Sequence, residues 1–194
     1  VDWLALGDGP DGWLTPTENH NPRAPAVKVA IRHRKGQSVK LYVDGKPVDP
    51  LAFDGTRTAR GASYAISLWR GVPLEYERTV LKAEILNSLG GVNRTIEREV
   101  HFVSTPARVE LLRDKSVLVA DGVTRPVLAV RVLDRNGRPV REGISGEFTL
   151  NQPFQSAAQL ELQQLRQLTG IGSSSARWVV EGEDGVARIE LAPT

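Results

Sequence analysis

The sequence predicts an all-β protein made of two tandem β-sandwiches, and two observations carry that prediction. Each half of the 194-residue chain holds about six short apolar runs in which apolar and polar residues tend to alternate, separated by turn signals. Such alternation places every second side chain on the same face of a strand. A sustained helical period occurs only over residues 157–168. Many short strands divided by turns are typical of β-sandwiches and disfavour an α/β domain.

Composition excludes several classes of function before any motif is considered. The chain has no Cys, which excludes disulfides, thiol chemistry and cysteine-based zinc sites. It has no apolar run near the ~18 residues that a membrane-spanning helix needs. Residues 1–105 carry 14 Lys and Arg against 12 Asp and Glu, and residues 106–194 carry 11 of each. Neither half is basic enough to indicate nucleic-acid binding. The chain begins at Val1 and contains no Met, so we expect it to be part of a longer protein.

Residues 1–24 differ in composition from the rest of the chain. They are rich in Gly and Pro, which oppose regular structure. They also contain Trp3 and Trp13, and each indole needs about 200 Å² of apolar surface to cover it. We therefore expect an extended N-terminal arm that is pinned either to the first sandwich or to a preceding domain.

The first sandwich is predicted over residues 25–105. Residues 27–31 alternate between β-branched and other side chains, and a second alternating run follows at 39–43. Asp44-Gly45 comes directly after it and favours a type I′ hairpin, since both central residues of that turn need positive φ. Further strand runs in this half, the last two separated by a Gly-Gly turn, cover 64–69, 80–86 and 96–103.

The second sandwich is predicted over residues 106–194, beyond a junction at 104–106. Pro106 biases the residue before it toward an extended conformation, and new strand runs open directly after it. The strongest apolar run of the chain lies in this half and is followed by Asn136-Gly137, a second hairpin signal. The runs of this half cover 109–111, 117–119, 127–132, 148–150, 178–180 and 186–191, with a third hairpin at 182–185.

A short helix is predicted over residues 157–168, inserted between strands of the second sandwich. Ser156 and Gln159 form a capping-box pattern, in which the two side chains satisfy backbone N–H groups at a helix start. Gly170 follows, where a glycine commonly ends a helix. The helix is either a surface for partner contact or a plug over one end of the core, and both alternatives stay open. Its narrow apolar stripe, expected to lie against the sandwich, consists of Leu162, Leu165 and Leu168.

Two stretches of the second half resemble the bacterial immunoglobulin-like repeat of invasin and intimin. Residues 120–140 contain Ala-Asp-Gly-x-Thr, then alternating apolar residues, then Asp-x-x-Gly-x-Pro-Val, which is the usual pattern of that repeat. Residues 184–191 resemble its Asp-Gly-x-Ala-x-x-x-Leu strand. Residues 25–104 resemble bacterial surface Ig-like modules more loosely, whereas 107–194 resemble the repeat best. The resemblance implies tandem immunoglobulin-like sandwiches in a cell-envelope protein of a bacterium, at the outer membrane, the cell surface or the periplasm.

Two features depart from that repeat. Residues 152–175 stand where the repeat usually has a short connection, and the chain stops at Thr194, before the strand that normally follows 184–191. We therefore expect the second sandwich to lack its last strand, which leaves an open backbone edge that invites pairing. Three alternatives could cover that edge: residues outside this sequence, a neighbouring molecule, or part of residues 152–175.

No motif in the sequence indicates a catalytic centre, a cofactor or a metal site. The three histidines lack metal-ligand spacing, and no G-x-S-x-G nucleophile elbow occurs. His101 is out of phase with its apolar neighbours and should face solvent or a neighbouring sheet. Asp8 and Asp11 could offer oxygens to calcium, but ordinary turn chemistry is favoured because no Glu closes the loop. The basic cluster 32–35 is interpreted as a solvated hairpin end.

The sequence leaves three functions open. The first is a non-catalytic structural or adhesive module of an envelope protein, with the neighbouring domains of the same chain as its partners. The second is an accessory module that binds a carbohydrate or a protein through Trp3, Trp13 and the stripe of Leu162, Leu165 and Leu168. The third is a non-catalytic fragment of an enzyme. Exposed tryptophans would favour the second function and buried ones the first, since sugar rings stack on exposed aromatic faces.

Overall fold

The computed structural model describes residues 1–7, 9–151, 153–169 and 176–194. It confirms the predicted all-β class, because the described residues form three sheets in which all paired strands are antiparallel. The chain divides into two compact units, Val1–Phe102 and Val103–Thr194.

Eight strands form the first unit, together with short 3₁₀ turns at Trp3–Leu6 and Pro50–Ala52. Their inner faces share one apolar cluster, to which one sheet contributes Ile31 and Trp69 and the other contributes Leu81. The two sheets have the strand orders β1-β2-β6-β5 and β4-β3-β7-β8. The strands are β1 (Gly12–Thr15), β2 (Ala26–Arg34), β3 (Ser38–Val43), β4 (Lys46–Pro47), β5 (Phe53–Arg57), β6 (Tyr64–Pro73), β7 (Arg78–Leu86) and β8 (Val92–His101).

The N-terminal arm has more regular structure than its composition predicted. Residues Gly12–Thr15 form strand β1, in which Trp13 lies opposite Ile31 of β2. The 3₁₀ turn at Trp3–Leu6 begins where the Asp2 carboxylate accepts a backbone N–H hydrogen bond at 3.1 Å. Gly and Pro lower only the local propensity for regular structure. Two non-local contributions order the arm: pairing with the open hydrogen-bonding edge of β2, and burial of the apolar surface of the two indoles.

The arm covers the outer face of the first sheet. Ala30 and Ile66 are buried on that face, and Trp3 packs against their cluster. The Tyr64 hydroxyl donates a hydrogen bond to the Leu4 carbonyl oxygen at 3.0 Å. Strand β2 is therefore covered on both faces, although its sequence alternates like a strand with one face in water.

The basic cluster 32–35 is solvated only in its second half. His33 is fully buried because it shares the inner face of β2 with the core residues. Arg32 points to the outer face but is only 7% exposed. Its guanidinium lies against Gly9 of the arm and 5.6 Å from the centre of the Tyr64 ring. The interpretation of a solvated hairpin end is wrong for these two residues, because the arm covers Arg32 and the core of the sandwich encloses His33.

The described part of the second unit contains five strands and one α-helix, together with a short 3₁₀ turn at Arg113–Lys115. The strands make one antiparallel sheet in the order β11-β12-β13-β10-β9. The predicted run 117–119 is not a strand: of its residues, only Val117 pairs, through a single bridge to Val127. The strand predicted at 148–150 lies earlier in the chain, at Ser145–Phe148 (β11). The elements are β9 (Arg108–Leu111), β10 (Val127–Leu133), β11 (Ser145–Phe148), α1 (Ala157–Thr169), β12 (Ala176–Glu181) and β13 (Val186–Glu190).

One predicted turn is confirmed in each unit. Asp44 and Gly45 have φ of 46° and 80°, as the two central residues of a type I′ hairpin do. The turn at Asn136-Gly137 is closed by the Asp134 carboxylate, which accepts the Asn136 and Arg138 backbone N–H groups at 2.8 Å each. An Asp side chain that bonds its own downstream backbone stabilises a turn in the same way as a backbone carbonyl.

The predicted helix is confirmed as α1. The capping box is formed, because the Gln159 backbone N–H donates to Ser156 Oγ at 3.0 Å and the Ser156 backbone N–H donates to Gln159 Oε1 at 3.1 Å. Two backbone groups that a helix start leaves without partners are satisfied in this way. Gly170, the predicted helix stop, lies outside the described residues.

Strand β13, for which an open edge was expected, has a neighbour on each side. It pairs with β10 along its whole length and with β12 at its first two residues. Just beyond it, Leu191 forms a bridge with Ser156, and the Ala192 backbone N–H donates to the Gln155 carbonyl oxygen at 2.8 Å. Part of residues 152–175 therefore covers this edge, as the third of the sequence-based alternatives stated.

Candidate functional site

The residues predicted to contact a partner lie in different environments. Trp3 and Trp13 are half-buried in the first unit. In the second unit Leu162 is half-buried, whereas Leu165 is 50% and Leu168 is 85% exposed. The expectation that the whole leucine stripe lies against the sandwich is therefore wrong. The capping box and the buried first residue, Ala157, anchor the start of the helix, and two of its later leucines are exposed.

Trp13 anchors the arm to the first unit. Its side chain packs against the core cluster, and the Arg98 guanidinium lies 5.9 Å from the centre of its ring. Arg98 also forms an ion pair with Glu18 of the arm, with Nη1 and Oε2 2.9 Å apart. A ring that is held between a core and a cation has little face to offer a ligand. These contacts favour a structural role for Trp13.

Trp3 lines a cavity of about 430 Å³ in the first unit. The cavity lies where the 3₁₀ turn meets strands β2, β6 and β5, beside the cluster that buries the outer face of the sheet. Of its walls, only Trp3 was predicted from the sequence, because most of the other side chains come from separate strands that no short motif links. These side chains include Leu68 and four charged residues, Lys28, Asp54, Arg57 and Arg70.

Two β-bulges, one on either side of β6, shape the cavity. The register of β5 and β6 shifts at Asp54, whose two neighbours in β5 lie opposite consecutive residues of β6. The register of β2 and β6 shifts next to Lys28. Bulges redirect side chains and are common beside functional sites. In a sequence, a glycine inside a strand pattern can indicate a bulge. Gly55 and Gly71 are such glycines, and their φ values are 99° and 57°.

The charged row across the cavity carries an excess of positive charge. Asp54 forms a hydrogen-bonded ion pair with Arg70, and Arg57 Nη2 lies 3.8 Å from the other Asp54 oxygen. The hydrogen bond from Arg70 holds the pKa of Asp54 below its ordinary value. Asp2, on the same cavity, is engaged as the cap of the 3₁₀ turn. Lys28 is exposed and has no ion-pair partner among the described residues.

A Ser–His contact that no sequence motif indicated lies inside the first unit. The Arg34 carbonyl oxygen, 2.9 Å from His33 Nδ1, can only accept, so Nδ1 carries the proton. Nε2 then accepts a hydrogen bond from Ser67 Oγ at 2.8 Å, and Thr56 Oγ1 lies 2.9 Å from the same oxygen. His33 and Ser67 are at most 1% exposed. Because a substrate cannot reach this hydroxyl, the arrangement favours satisfaction of buried polar groups rather than nucleophilic chemistry.

His101 is buried, so it does not face solvent, which was one of its two expected environments. Its Nε2 lies 2.8 Å from Glu99 Oε1 and 3.2 Å from Asn19 Oδ1. Its backbone N–H donates to the His20 carbonyl oxygen at 2.9 Å. Residues of the arm therefore cover it, and alternation along a strand does not reveal such a cover.

The described residues contain no group of three or more His, Asp or Glu side chains arranged to hold a metal ion. Asp8, one residue of the calcium alternative, lies outside the described residues, and the Asp11 carboxylate lies 4.0 Å from Arg34 Nε. Among the helices that the structure describes, none combines the length and apolar character needed to cross a membrane.

No protein-family profile and no curated protein matches this sequence. A β-glucuronidase of glycoside hydrolase family 2 is 18% identical over 95% of this chain, with a TM-score of 0.35, and the chain spans only 18% of that enzyme. Tandem Ig repeats of Dlar are 10% identical, covering 95% of this chain and 84% of theirs, with a TM-score of 0.30. The D00-D0 domain of intimin is 12% identical, covering 94% and 86%, with a TM-score of 0.28. At these scores the similarities identify neither a family nor a ligand.

Proposed function

We propose that this chain is a non-catalytic structural or adhesive module, built of two immunoglobulin-like units in tandem, within a larger bacterial cell-envelope or surface protein. One observation carries the proposal. The two stretches that resemble the invasin and intimin repeat, 120–140 and 184–191, lie side by side, because β10 and β13 pair from Val127 to Arg131. Segments about 55 residues apart thus form one central ladder, which supports a shared repeat pattern over a chance match.

The backbone architecture of the first unit supports a structural role. The first unit contains four strands of nine or ten residues, β2, β6, β7 and β8, and each pairs along most of its length with a neighbour. Long antiparallel ladders combine many backbone hydrogen bonds with a shared core, so they open cooperatively. The contact between Ser67 and His33 satisfies polar groups that are buried in that core, which supports the absence of catalysis.

Cell fractionation tests the location that this proposal requires. Antibodies raised against the 194-residue chain should label the envelope fraction of the source bacterium, and an antibody against a cytoplasmic marker serves as the control. A signal confined to the cytoplasmic fraction would contradict the proposal.

A screen with chromogenic esters, phosphates and glycosides tests the absence of catalysis. The chain should show no turnover above that of its Ser67→Ala variant. Turnover that disappears in the variant would show that the buried hydroxyl is reached by substrate and would overturn this part of the proposal.

A second candidate function is an accessory module that binds a carbohydrate or a partner protein. The observation that favours it is the half-buried Trp3 ring on a cavity with charged walls. Cell-wall glycans should change the tryptophan fluorescence of the chain, and Trp3→Phe should remove that change while keeping the fold. An unchanged response in this variant would place binding elsewhere.

A further inference from the structure

We propose that the cavity beside Trp3 binds an acidic oligosaccharide, one that contains hexuronate units. Trp3 would receive the apolar face of a sugar ring, and Lys28 with Arg70 would receive its carboxylate. This inference rests on the second candidate function and names both the site and the ligand class.

The shape of the cavity fits a short glycan. Its volume of about 430 Å³ lies within the ~300–1,000 Å³ typical of small-molecule sites. Trp3 and Leu68 are among the residues that supply apolar wall, and charged groups from three adjacent strands supply a polar row. An aromatic face beside a row of polar groups matches a sugar, which has C–H groups on the faces of its ring and hydroxyls around its edge.

The chemistry of the charged row distinguishes sugars from phosphates. Lys28, Arg57 and Arg70 are donors, whereas Asp54 is an acceptor whose lowered pKa keeps it ionised. A polyhydroxylated ligand uses both kinds of group, because each hydroxyl donates and accepts. A phosphate group only accepts, so it leaves the Asp54 acceptor unused, whereas a hexuronate has hydroxyl donors beside its carboxylate. Mixed donors and acceptors therefore favour a sugar over a phosphate.

The net charge of the site points to an acidic sugar. Three cations, Lys28, Arg57 and Arg70, line the cavity with two carboxylates, Asp2 and Asp54, which leaves one net positive charge on its side chains. Arg57 and Arg70 share the carboxylate of Asp54, and Lys28 has no ion-pair partner in the part of the chain that is described. A ligand carboxylate would neutralise this excess and would accept charge-assisted hydrogen bonds from Lys28 and from the outer edge of Arg70, which is 74% exposed.

Calorimetric titration of the 194-residue chain with three acidic hexasaccharides tests the inference. The probes are hexagalacturonate, hexamannuronate and the glucuronate-containing hexasaccharide of hyaluronan. Fully methyl-esterified hexagalacturonate is the matched neutral probe, because it keeps the rings and loses the charges. At least one acidic probe should bind about tenfold more tightly than the ester, and added NaCl should weaken that binding.

Two lysine variants locate the site. Lys28→Glu should lower the affinity for the acidic probe about tenfold or more, since it reverses the charge of an exposed cavity residue. Lys35→Glu makes the same change at an exposed position outside the cavity, and it should leave the affinity unchanged. Equal effects of the two variants would reduce the binding to general charge attraction and overturn the inference.

The remaining outcomes separate this inference from the function on which it rests. Equal binding of the acid and its methyl ester would overturn the acidic ligand class and leave a carbohydrate-binding module standing. Absence of binding by all three acidic probes, with a neutral glycan still changing the tryptophan fluorescence, would have the same meaning. If no probe binds in the titration and no glycan changes the tryptophan fluorescence, both the acidic ligand class and the carbohydrate-binding function are overturned. Tighter binding of a hexameric single-stranded DNA would replace the sugar by a nucleic acid.

Discussion

The two units cover their apolar sheet faces to different extents. In the first unit the core cluster includes the large side chains Ile31, Leu81 and Trp69, and a second cluster is buried beneath the arm. In the second unit the buried members of the core cluster are all Val or Ala. Large apolar side chains are exposed along β9 instead, with Val109 at 60% and Leu111 at 47%.

Strand register explains this difference. Val109 lies opposite Val132, and Leu111 lies opposite Val130, which both belong to the core cluster. Directly opposed residues share a face of the sheet, so the two β9 side chains point to the core side. The first unit has a second sheet on that side, whereas the described strands of the second unit make one sheet. Because a sheet buries its apolar face only against another layer, we expect the first unit to be the more stable.

Truncation of core side chains should have the largest effect and tests the comparison directly. Ile31→Ala should lower the free energy of unfolding of the first unit by about 2–5 kcal/mol, since it leaves a cavity between two sheets. Val132→Ala should lower that of the second unit by about 2 kcal/mol. Val109→Ala, on the same face, is the matched control and should change it by less than about 0.5 kcal/mol. Denaturant titrations that follow the amide signals of each unit measure these values.

Equal losses of unfolding free energy in Val109→Ala and Val132→Ala would contradict the expected difference between the two units. That result would show that another layer covers β9 in solution, and the second unit would then be as closed as the first.

Two glycines of one hairpin test how closely the second unit is packed at its turn. A Cβ on Gly185 would stand 2.6 Å from the Val132 carbonyl oxygen, whereas one on Gly182 would meet nothing within 4 Å. Their φ values are nearly equal, at 70° and 69°. Gly182→Ala should therefore cost about 1 kcal/mol from backbone strain alone. Gly185→Ala should cost about 2–3 kcal/mol, because the clash is added to that strain.

Thermal unfolding of the two glycine variants measures the difference. Equal shifts of the melting temperature would mean that the hairpin moves away from β10 without loss, and that the packing at this end is loose.

The capping box tests whether the helix contributes to the stability of the second unit. Ser156→Ala removes the side-chain oxygen that accepts the Gln159 backbone N–H, and it should lower the free energy of unfolding by about 1 kcal/mol. Gln163→Ala, at an exposed position of the same helix, is the control and should have little effect. Circular dichroism at 222 nm and thermal unfolding report the change. A loss of helix signal without a loss of stability would show that α1 does not contribute to the stability of the second unit.

The smallest expected effects concern one carboxyl in each unit. The hydrogen bond from Arg70 lowers the pKa of Asp54. In the second unit, the Thr124 hydroxyl and the backbone N–H groups of Thr124 and Val123 lower the pKa of Asp121 to about 2. A carboxyl whose pKa is lowered by folding stabilises the folded state above its ordinary pKa of 3.8. That contribution is lost as the pH falls through the folded pKa.

Carboxyl NMR titrations at low and high NaCl distinguish the two causes. Salt should raise the pKa of Asp54, because its partner is a charged guanidinium, and it should move the pKa of Asp121 much less, because its donors are neutral. Arg70→Gln and Thr124→Val should each raise the pKa of its own carboxyl only. Identical salt responses would mean that the same interaction acts in both units.

Much of the secondary structure could be predicted from the sequence because its determinants are local. Alternation located the long strands of the first unit, and Asp44-Gly45 predicted a turn that the backbone angles confirm. Ser156 and Gln159 predicted a helix start whose two reciprocal hydrogen bonds are present. Of the residues that line the candidate site, only Trp3 could be predicted from the sequence. Asp54 and Arg70 are 16 residues apart and meet because a bulge redirects Asp54 beside β6.

What the sequence by itself determined is therefore the all-β class, the turns and the helix start, since each depends on residues within a few positions of one another. The tertiary structure alone decided which faces are covered. Arg32, His33 and His101 are buried because the arm or the opposite sheet lies over them, whereas Leu168 is exposed because no described segment does. Burial depends on the surface that a distant segment supplies, and the alternation of side chains along one strand carries no information about that segment.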